Sequence, residues 1–232
     1  MLKNITYFKV PVLDKGYVEI QDMMGDDLAI VNAARTSYLG ESKGEDKDKQ
    51  LLFYLMENHH DGPFEQVEFK LKIKAPVFVA RQWMRARTWS YNEQSRRYSS
   101  ENIEFYIPRS NEWRLQGTEN KQSSDGFQDF YTGIFFTDTL DRFCKDAYKT
   151  YEYALREGVS REMARMFLPV NLYTTFIAKV DARNLMHFLQ LRMDEHAQYE
   201  IRVYAEAIYE NFFKPALPWT AEAFEMFILK GE

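Results

Sequence analysis

A regular alternation in the segment EQVEFKLKIKAP (65–76) places the strongest constraint on the fold. Apolar residues take every second position from Val67 to Ile73, and charged residues fill the positions between and after them. In an extended chain successive side chains point to opposite faces, so one face of this segment is apolar and the other is polar. The segment therefore predicts a β-strand that covers a core with one face.

Helical spacing of apolar residues dominates most of the remaining chain. Pro76 suits the first turn of a helix, Asp181 can cap another, and Gly158 can end a third. A run of β-branched and aromatic residues over 171–182 predicts a second strand. The predicted helices cover 26–37, 49–60, 77–87, 137–158, 160–167, 182–192 and 198–213.

Few strands among many helices, without regular alternation, indicate an α+β fold. We expect a single domain over residues 1–232, because no repeat and no Pro/Gly-rich linker divides the chain. Its centre should be a mostly antiparallel sheet flanked by long helices. Two polar insertions interrupt the pattern: a charged loop at 39–49 and a longer segment at 108–129, which we expect to be mobile.

Composition limits the partners that we expect. The chain carries a formal net charge of −5 and a pI near 5.5, which argues against general binding to nucleic acid or to an anionic membrane. Its longest apolar run, 75–80, is far too short to span a membrane. Cys144 is the single cysteine, so no intrachain disulfide can form. With no signal-peptide pattern at the N-terminus, we expect a cytoplasmic protein.

Positive charge is nevertheless concentrated in the stretch RQWMRARTWSYNEQSRRYS (81–99). Its five arginines and one acid, Glu93, give a local sum of five minus one, or +4. Arg81 and Arg85 should share one face of the predicted helix. Guanidinium groups bind phosphates, and the interleaved aromatic rings can stack on a base or a ring cofactor. The stretch predicts a site for a phosphorylated aromatic ligand; the alternative is a solvated helix end with arginines paired to distant acids.

Arg192 lies at helical spacing from Leu185 and Leu189, on a face that should be buried. A buried guanidinium is costly unless its donors find acceptors. Two interpretations remain open: an ion pair with Asp194, Glu195 or an acid on another element, or contact with an oxygen-rich ligand.

Other catalytic patterns are missing from the sequence. The four histidines do not show metal-ligand spacing, so we expect no metal site. Cys144 has no histidine nearby in sequence and is read as a packing residue. Neither G-x-G-x-x-G nor a Walker pattern is present, so any flavin or nicotinamide is not held by a Rossmann unit.

The stretch Arg85-Ala86-Arg87, followed after seven residues by Ser95, resembles the signature of the flavin-dependent thymidylate synthases. That family's pattern is Arg-His-Arg, seven residues, then Ser. Further blocks resemble those of the family in the same order, so the resemblance covers most of the chain outside the two insertions. These blocks are 64–83, 92–99, 104–108, 161–174 and 183–201.

The resemblance implies methylation of dUMP at C5 to give dTMP. Methylenetetrahydrofolate supplies the carbon, reduced FAD supplies the hydride, and NADPH reduces the flavin. It also implies a homotetramer whose active sites are shared between subunits. Arg192 would lie against the uracil carbonyl edge, where a fixed positive charge favours an enolate-like ring and makes C5 nucleophilic.

The remaining site residues follow from the same resemblance. The implied dUMP contacts are Gln82, Arg85, Glu93, Gln94, Ser95, Arg96, Arg97, Arg165 and Arg192. The implied FAD contacts are Ser37, Gly62, Arg85, Ala86, Arg87, Glu93, Asp181, Arg183 and His187. His60 would lie at the flavin and folate face.

Three positions depart from the family pattern. Ala86 replaces the middle histidine and can neither donate nor accept a hydrogen bond through its side chain. Asp181 and His187 stand where the family often has Asn. The alternatives are therefore a relative that methylates another pyrimidine nucleotide such as UMP, or a nucleotide-binding protein weakened in catalysis by Ala86. A single-stranded RNA binder is a further alternative, which the acidic pI argues against.

Overall fold

A five-stranded antiparallel sheet forms the centre of the computed structural model, which describes residues 8–37, 40–98, 103–118 and 124–229. Its strands run in the spatial order β1-β2-β3-β7-β4, and β5 and β6 form a separate hairpin. The α+β prediction is confirmed. The strands are β1 (Lys9–Val12), β2 (Gly16–Met24), β3 (Glu68–Pro76), β4 (Ser90–Glu93), β5 (Arg114–Gln116), β6 (Ser124–Phe127) and β7 (Tyr173–Asp181).

Helices flank the sheet and supply much of the buried surface. Short 3-10 turns cover Gly62–Gln66 and Arg165–Phe167, and π-helical turns cover Tyr209–Phe213 and Glu225–Leu229. The α-helices are α1 (Asp27–Thr36), α2 (Glu45–Glu57), α3 (Val77–Trp83), α4 (Phe130–Arg156), α5 (Arg161–Ala164), α6 (Ala182–Met193), α7 (Tyr199–Ile208), α8 (Lys214–Ala216) and α9 (Pro218–Phe224).

The alternating segment is the central strand β3, as predicted, with β2 on one side and β7 on the other. Phe69, Leu71 and Ile73 are fully buried on one face. Helix α7 packs across this part of the sheet, and the hydroxyl of Tyr204 donates to the backbone oxygen of Lys74 at 2.6 Å. The predicted last long helix thus covers part of the sheet.

The helix predicted over 77–87 ends earlier, at Trp83, so Arg81 and Arg85 do not share a helix face. The residues after it were not predicted to form a strand, but Ser90–Glu93 pair with β7 as the edge strand β4. The hydroxyl of Tyr91 on β4 donates to the backbone oxygen of Trp83 at 3.1 Å. This return contact explains the early end of the helix.

Both polar insertions contain regular structure. Helix α2 begins at Glu45, inside the predicted 39–49 loop, because Asp48 is buried and accepts hydrogen bonds from Ser42 and Arg35. The 108–129 segment carries the β5–β6 hairpin, although residues 119–123 lie outside the described part. Helix α4 starts at Phe130, before the predicted residue 137, with Asp129 as its N-cap.

Candidate active site

The turn between α3 and β4 presents the paired arginines of the motif, and we name residues 84–89 the arginine turn. Backbone hydrogen bonds shape it: Arg85 N donates to Gln82 O at 3.2 Å and Ala86 N donates to Trp83 O at 2.9 Å. The Ala86 side chain is half-buried against the main core. The turn therefore places the half-buried Ala86 between two exposed arginines.

The cations of the arginine turn have no acidic partner within the described residues. Arg85 and Arg87 are exposed and make no ion pair there. Arg97, farther along the stretch, reaches Glu162 at 3.4 Å, and Arg96 donates to the backbone oxygen of Tyr173 at 3.3 Å. Pairing with distant acids thus accounts for Arg97 but leaves the charge of the turn unbalanced.

A cavity of about 360 Å³ lies where β4 ends and the chain approaches α5, and we name it the serine cavity. The hydroxyl of Thr174 donates to the carboxylate of Glu93 at 2.7 Å, and Gln94 N donates to Thr175 O at 2.8 Å. Five of the predicted substrate residues line the cavity. They are Glu93, Gln94, Ser95, Arg96 and Arg165.

A second group of predicted residues meets at the start of α6, which we name the α6 cap. Asp181 accepts hydrogen bonds from Asn184 N at 2.8 Å and from the Asn184 side chain at 2.7 Å, so it caps the helix as predicted. Arg183 pairs with Asp61 at 3.1 Å, which brings α6 beside Gly62. An added Cβ at Gly62 would meet no atom within 4 Å, so the surface there is open.

The remaining predicted cofactor residues are exposed around this cap. His187 points outward from α6, and the ring of His60 lies edge-on to Tyr54 with centroids 5.8 Å apart. Ser37 is exposed immediately after α1, a helix that packs on the turn Gly62–Gln66.

Arg192 lies at the other end of α6 and is half-buried. Burial lowers the pKa of its guanidinium from the ordinary value. Within the described residues it makes neither a hydrogen bond nor an ion pair, so the interpretation that Asp194 or Glu195 neutralises it is wrong. A desolvated cation without an acceptor is costly, and its five donors are ready to bind an oxygen-rich ligand.

The chain does not bring these groups into one pocket. Glu93 pairs with Phe176 on β7, and the step of five residues from there to Asp181 spans roughly 17 Å. Along α6, Arg183 and Arg192 are roughly 14 Å apart. The serine cavity and the α6 cap are therefore separate patches on a single chain, and Glu93, which belongs to both predicted sets, lies in the first.

Comparisons with known proteins agree on one family. The family described as "Thymidylate synthase complementing protein" matches residues 19–219. A flavin-dependent thymidylate synthase of Thermosipho africanus is 48% identical over 95% of this chain and 96% of its own length. One of Thermus thermophilus is 49% identical over 96% of this chain and 80% of its own.

The chain belongs to the flavin-dependent thymidylate synthase family. A solved structure supports the same fold: a UMP/dUMP methylase PolB from Streptomyces cacaoi, bound with 5-Br dUMP, is similar with a TM-score of 0.84 and 33% identity. The alignment covers 94% of this chain and 98% of that one. The prediction of a methyltransferase of the flavin-dependent thymidylate synthase family is confirmed, and the family's name implies a flavin.

Cys144, which the sequence predicts to be a packing residue, lies on helix α4. It is buried, its thiol lies 3.7 Å from Asn171 Oδ1, and burial raises its pKa. In the described parts of the chain no three His, Cys, Asp or Glu side chains group to hold a metal ion, and no helix is long and apolar enough to cross a membrane.

A cavity of about 820 Å³ contains none of the predicted site residues. We name it the hairpin cavity, because β5, β6 and the start of α7 form its walls. Its Gln198 accepts a hydrogen bond from Gln82, a predicted substrate residue. Sequence reasoning missed Gln198 and Glu200, although Glu200 precedes Tyr204 by four residues and so borders the buried face of α7.

Proposed function

We propose that the protein makes dTMP by reductive C5-methylation of dUMP. Methylenetetrahydrofolate donates the carbon, and FAD reduced by NADPH is the hydride source. The observation that carries this proposal is the half-buried guanidinium of Arg192, which has no partner in the described chain. Family membership supports the reaction class.

Arg192 is the catalytic residue of this proposal. Its guanidinium contacts the carbonyl edge of uracil, where it stabilises negative charge that develops on the ring oxygen and so increases electron density at C5. Because partial burial weakens solvent screening, the positive charge acts on the ring more strongly than an exposed one would. No protein nucleophile is needed, which agrees with the buried thiol of Cys144.

Five of the proposed substrate residues line the serine cavity and Arg85 lies on the arginine turn, whereas Gln82, Arg97 and Arg192 lie outside both. Ser95 orients the nucleotide by a hydrogen bond, and the arginines neutralise its phosphate. The proposed dUMP contacts are Gln82, Arg85, Glu93, Gln94, Ser95, Arg96, Arg97, Arg165 and Arg192.

The cations of the arginine turn fit a cofactor that carries a pyrophosphate. Arg85 and Arg87 are exposed and without an acidic partner in the described residues. Arg183 is held by a half-exposed ion pair with Asp61 and a hydrogen bond to the side-chain oxygen of Asn184. FAD, when bound, supplies the hydride. The proposed FAD contacts are Ser37, Gly62, Arg85, Ala86, Arg87, Glu93, Asp181, Arg183 and His187, with His60 at the flavin and folate face.

Separation of these patches on one chain supports a homotetramer with shared active sites. Neighbouring subunits would bring the serine cavity of one chain to the α6 cap of another. We further propose that residues 1–232 act as one domain and that the enzyme is cytoplasmic, which agrees with a single, unpaired cysteine.

A second candidate reaction is methylation of UMP. The solved relative with a TM-score of 0.83 is a UMP/dUMP methylase bound with 5-Br UMP. Competition between dUMP and UMP in one reaction mixture distinguishes the two candidates by the ratio of their methylated products.

The test of the proposed function is an anaerobic assay of dTMP formation from dUMP, methylenetetrahydrofolate and NADPH with FAD-loaded protein. We expect a yellow protein that NADPH bleaches and that yields dTMP. Arg192→Lys should abolish most of this yield, whereas Arg156→Lys, a matched change at the exposed end of α4, should not. A colourless protein that binds dUMP without oxidising NADPH would instead identify a catalytically silent relative.

A further inference from the structure

Helix α4 exposes a large aromatic surface to solvent. It is 27 residues long, roughly 40 Å, and its buried residues are Gly133, Cys144, Tyr151 and Ala154. Its most exposed aromatic residues are Phe130, Tyr131, Phe135, Phe143 and Tyr153. These side chains are 57% to 82% exposed, and together they present on the order of 600 Å² to solvent. Exposed apolar surface of this size marks an interaction surface, and it approaches the roughly 800 Å² that each partner buries in a stable complex.

The charges of α4 are divided between its two halves. From Asp129 to Asp141 there are three acids and no base, whereas residues 142–156 carry four bases and two acids. A helix with an acidic first half and a basic second half is complementary to an antiparallel copy of itself. A second copy of this chain therefore fits the face better than an anionic lipid surface does, because acids border the exposed rings and the chain has a net charge of −5.

One stripe of α4 carries both the rings and the charges. Side chains that are alternately four and three residues apart lie on one face of a helix and form the seam of a two-helix pair. The exposed residues at this spacing are Tyr131, Phe135, Asp138, Arg142, Lys145 and Lys149. The ion pairs along the helix are Lys145–Asp141 and Lys149–Asp146, so Asp138 and Arg142 have no ionic partner within the described residues.

We propose that two copies of this chain pack antiparallel through this stripe of α4. With a two-fold axis beside Leu140, Asp138 lies opposite the partner's Arg142. Phe135 lies opposite the partner's Lys145, whose aliphatic part covers the ring while the ammonium group remains in solvent. Pairing through α4 is additional to the shared active sites proposed above, which involve the serine cavity and the α6 cap, and it does not depend on the proposed reaction.

Sedimentation equilibrium of the purified full chain over a range of concentrations measures the association. Phe135→Lys removes the ring and puts a like charge opposite the partner's Lys145, so the dissociation constant should rise at least roughly 30-fold. Met226→Lys is the matched control, because Met226 is 52% exposed in the π-helical turn Glu225–Leu229, on another part of the surface. This control should leave the dissociation constant unchanged.

A charge exchange tests the antiparallel arrangement itself. Asp138→Arg and Arg142→Asp each put like charges opposite one another, twice in a symmetric pair, so each should weaken association roughly tenfold. The double variant restores opposite charges and should return the dissociation constant to that of the unmodified chain. Both positions are exposed, and urea denaturation of every variant checks that the fold is retained.

Rescue of association in the double variant supports the pairing. A dissociation constant that is unchanged in Phe135→Lys and in both single charge variants overturns it, and so does the absence of rescue. An unmodified chain that sediments as a monomer also overturns it, as does binding to phosphatidylcholine vesicles that Phe135→Lys abolishes. The yield of dTMP is measured separately, so failure of the proposed reaction leaves the sedimentation result intact.

Discussion

The arginine turn leaves its cations in solvent, whereas the hairpin cavity holds its charge in a buried pair. Arg85 and Arg87 are exposed and have no acidic partner in the described chain. Glu200 is almost fully buried, and Arg114, Tyr106 and Gln198 meet its oxygens. Both regions contain arginines, but those of the arginine turn are free to bind a ligand, whereas Arg114 stabilises a buried carboxylate.

The difference shows how charge marks function in this fold. A guanidinium without a partner contributes little to stability and is free to bind an anion. A buried ion pair holds its two side chains in a fixed position. Removing either member destabilises the fold, because the other is left as an uncompensated buried charge. Arg192 belongs with the first kind, although it lies on a helix whose other inward residues are apolar.

The largest effect is expected for Arg192→Ala. Removing a preorganised positive charge at the reacting ring should lower the turnover of dTMP roughly 10²–10³-fold. The free energy of unfolding should not fall by more than about 0.5 kcal/mol, because the guanidinium has no partner in the described chain to lose and its desolvation is itself a cost. Steady-state assays and chemical denaturation measure the two quantities. Full activity, or a large loss of stability, would place Arg192 with the paired cations instead.

Arg114→Ala and Arg85→Ala test the comparison directly. Loss of Arg114 leaves the buried Glu200 carboxylate without its cation, so the unfolding free energy should fall by about 3 kcal/mol. Loss of Arg85 should cost at most about 0.5 kcal/mol and instead weaken dUMP or FAD binding. Urea denaturation of both variants measures the unfolding free energies, and ligand titration measures the affinities for dUMP and FAD. Equal stability losses would contradict the distinction.

Ala86→His sharpens the comparison within the arginine turn itself. A histidine restores a side chain that donates and accepts, so FAD should bind roughly tenfold more tightly, in line with one regained hydrogen bond. Ala86→Phe is the control for ring volume without hydrogen bonding, since position 86 is half-buried against the core. Titration with FAD and assay of turnover decide the matter; unchanged affinity and rate in the histidine variant refute the prediction.

The smallest effect concerns acid stability and a second buried charge. A hydrogen bond from Ser42, then the backbone N–H of Lys43 and the guanidinium of Arg35, hold the pKa of Asp48 below its ordinary value. A lowered folded-state pKa stabilises the fold above the unfolded value near 3.9, and this stabilisation disappears as the pH falls through the folded value.

Unfolding free energies of the unmodified chain and Asp48→Asn should therefore converge below about pH 4. Asp46→Asn, in the same helical turn but exposed, controls for the change in net charge. If the difference in unfolding free energy between the unmodified chain and Asp48→Asn stays constant down to low pH, the ionised carboxylate is not stabilised by its partners.

Patterns repeated over many residues identified β3, β7 and several helices, but β1 and β2 of the same sheet were not predicted. Alternation identified β3, β-branched residues identified β7, and helical spacing identified the buried face of α7, because each pattern is repeated over many residues. The edge strand β4 was missed, since SYNE is short and polar and is a strand only through its pairing with β7. The early end of α3 depends on Tyr91, a contact that no local pattern encodes.

The candidate site shows a similar division. The arginines were found because their charge is concentrated in one stretch, and Arg192 because a cation interrupts an apolar face. The resemblance implied active sites shared between subunits, but spacing along the sequence could not say which residues lie apart on one chain. Gln198 was missed because an amide carries no charge signal, and its role depends on partners from the hairpin and from α3.

The buried thiol of Cys144 makes the chain convenient for selective labelling. It is the single cysteine, and its burial and raised pKa protect it from thiol reagents under native conditions. A cysteine introduced at Tyr98, which is 80% exposed beside the arginine stretch, would therefore be the one reactive thiol. A fluorophore there would report nucleotide arrival in real time, without a cysteine-free background having to be built first.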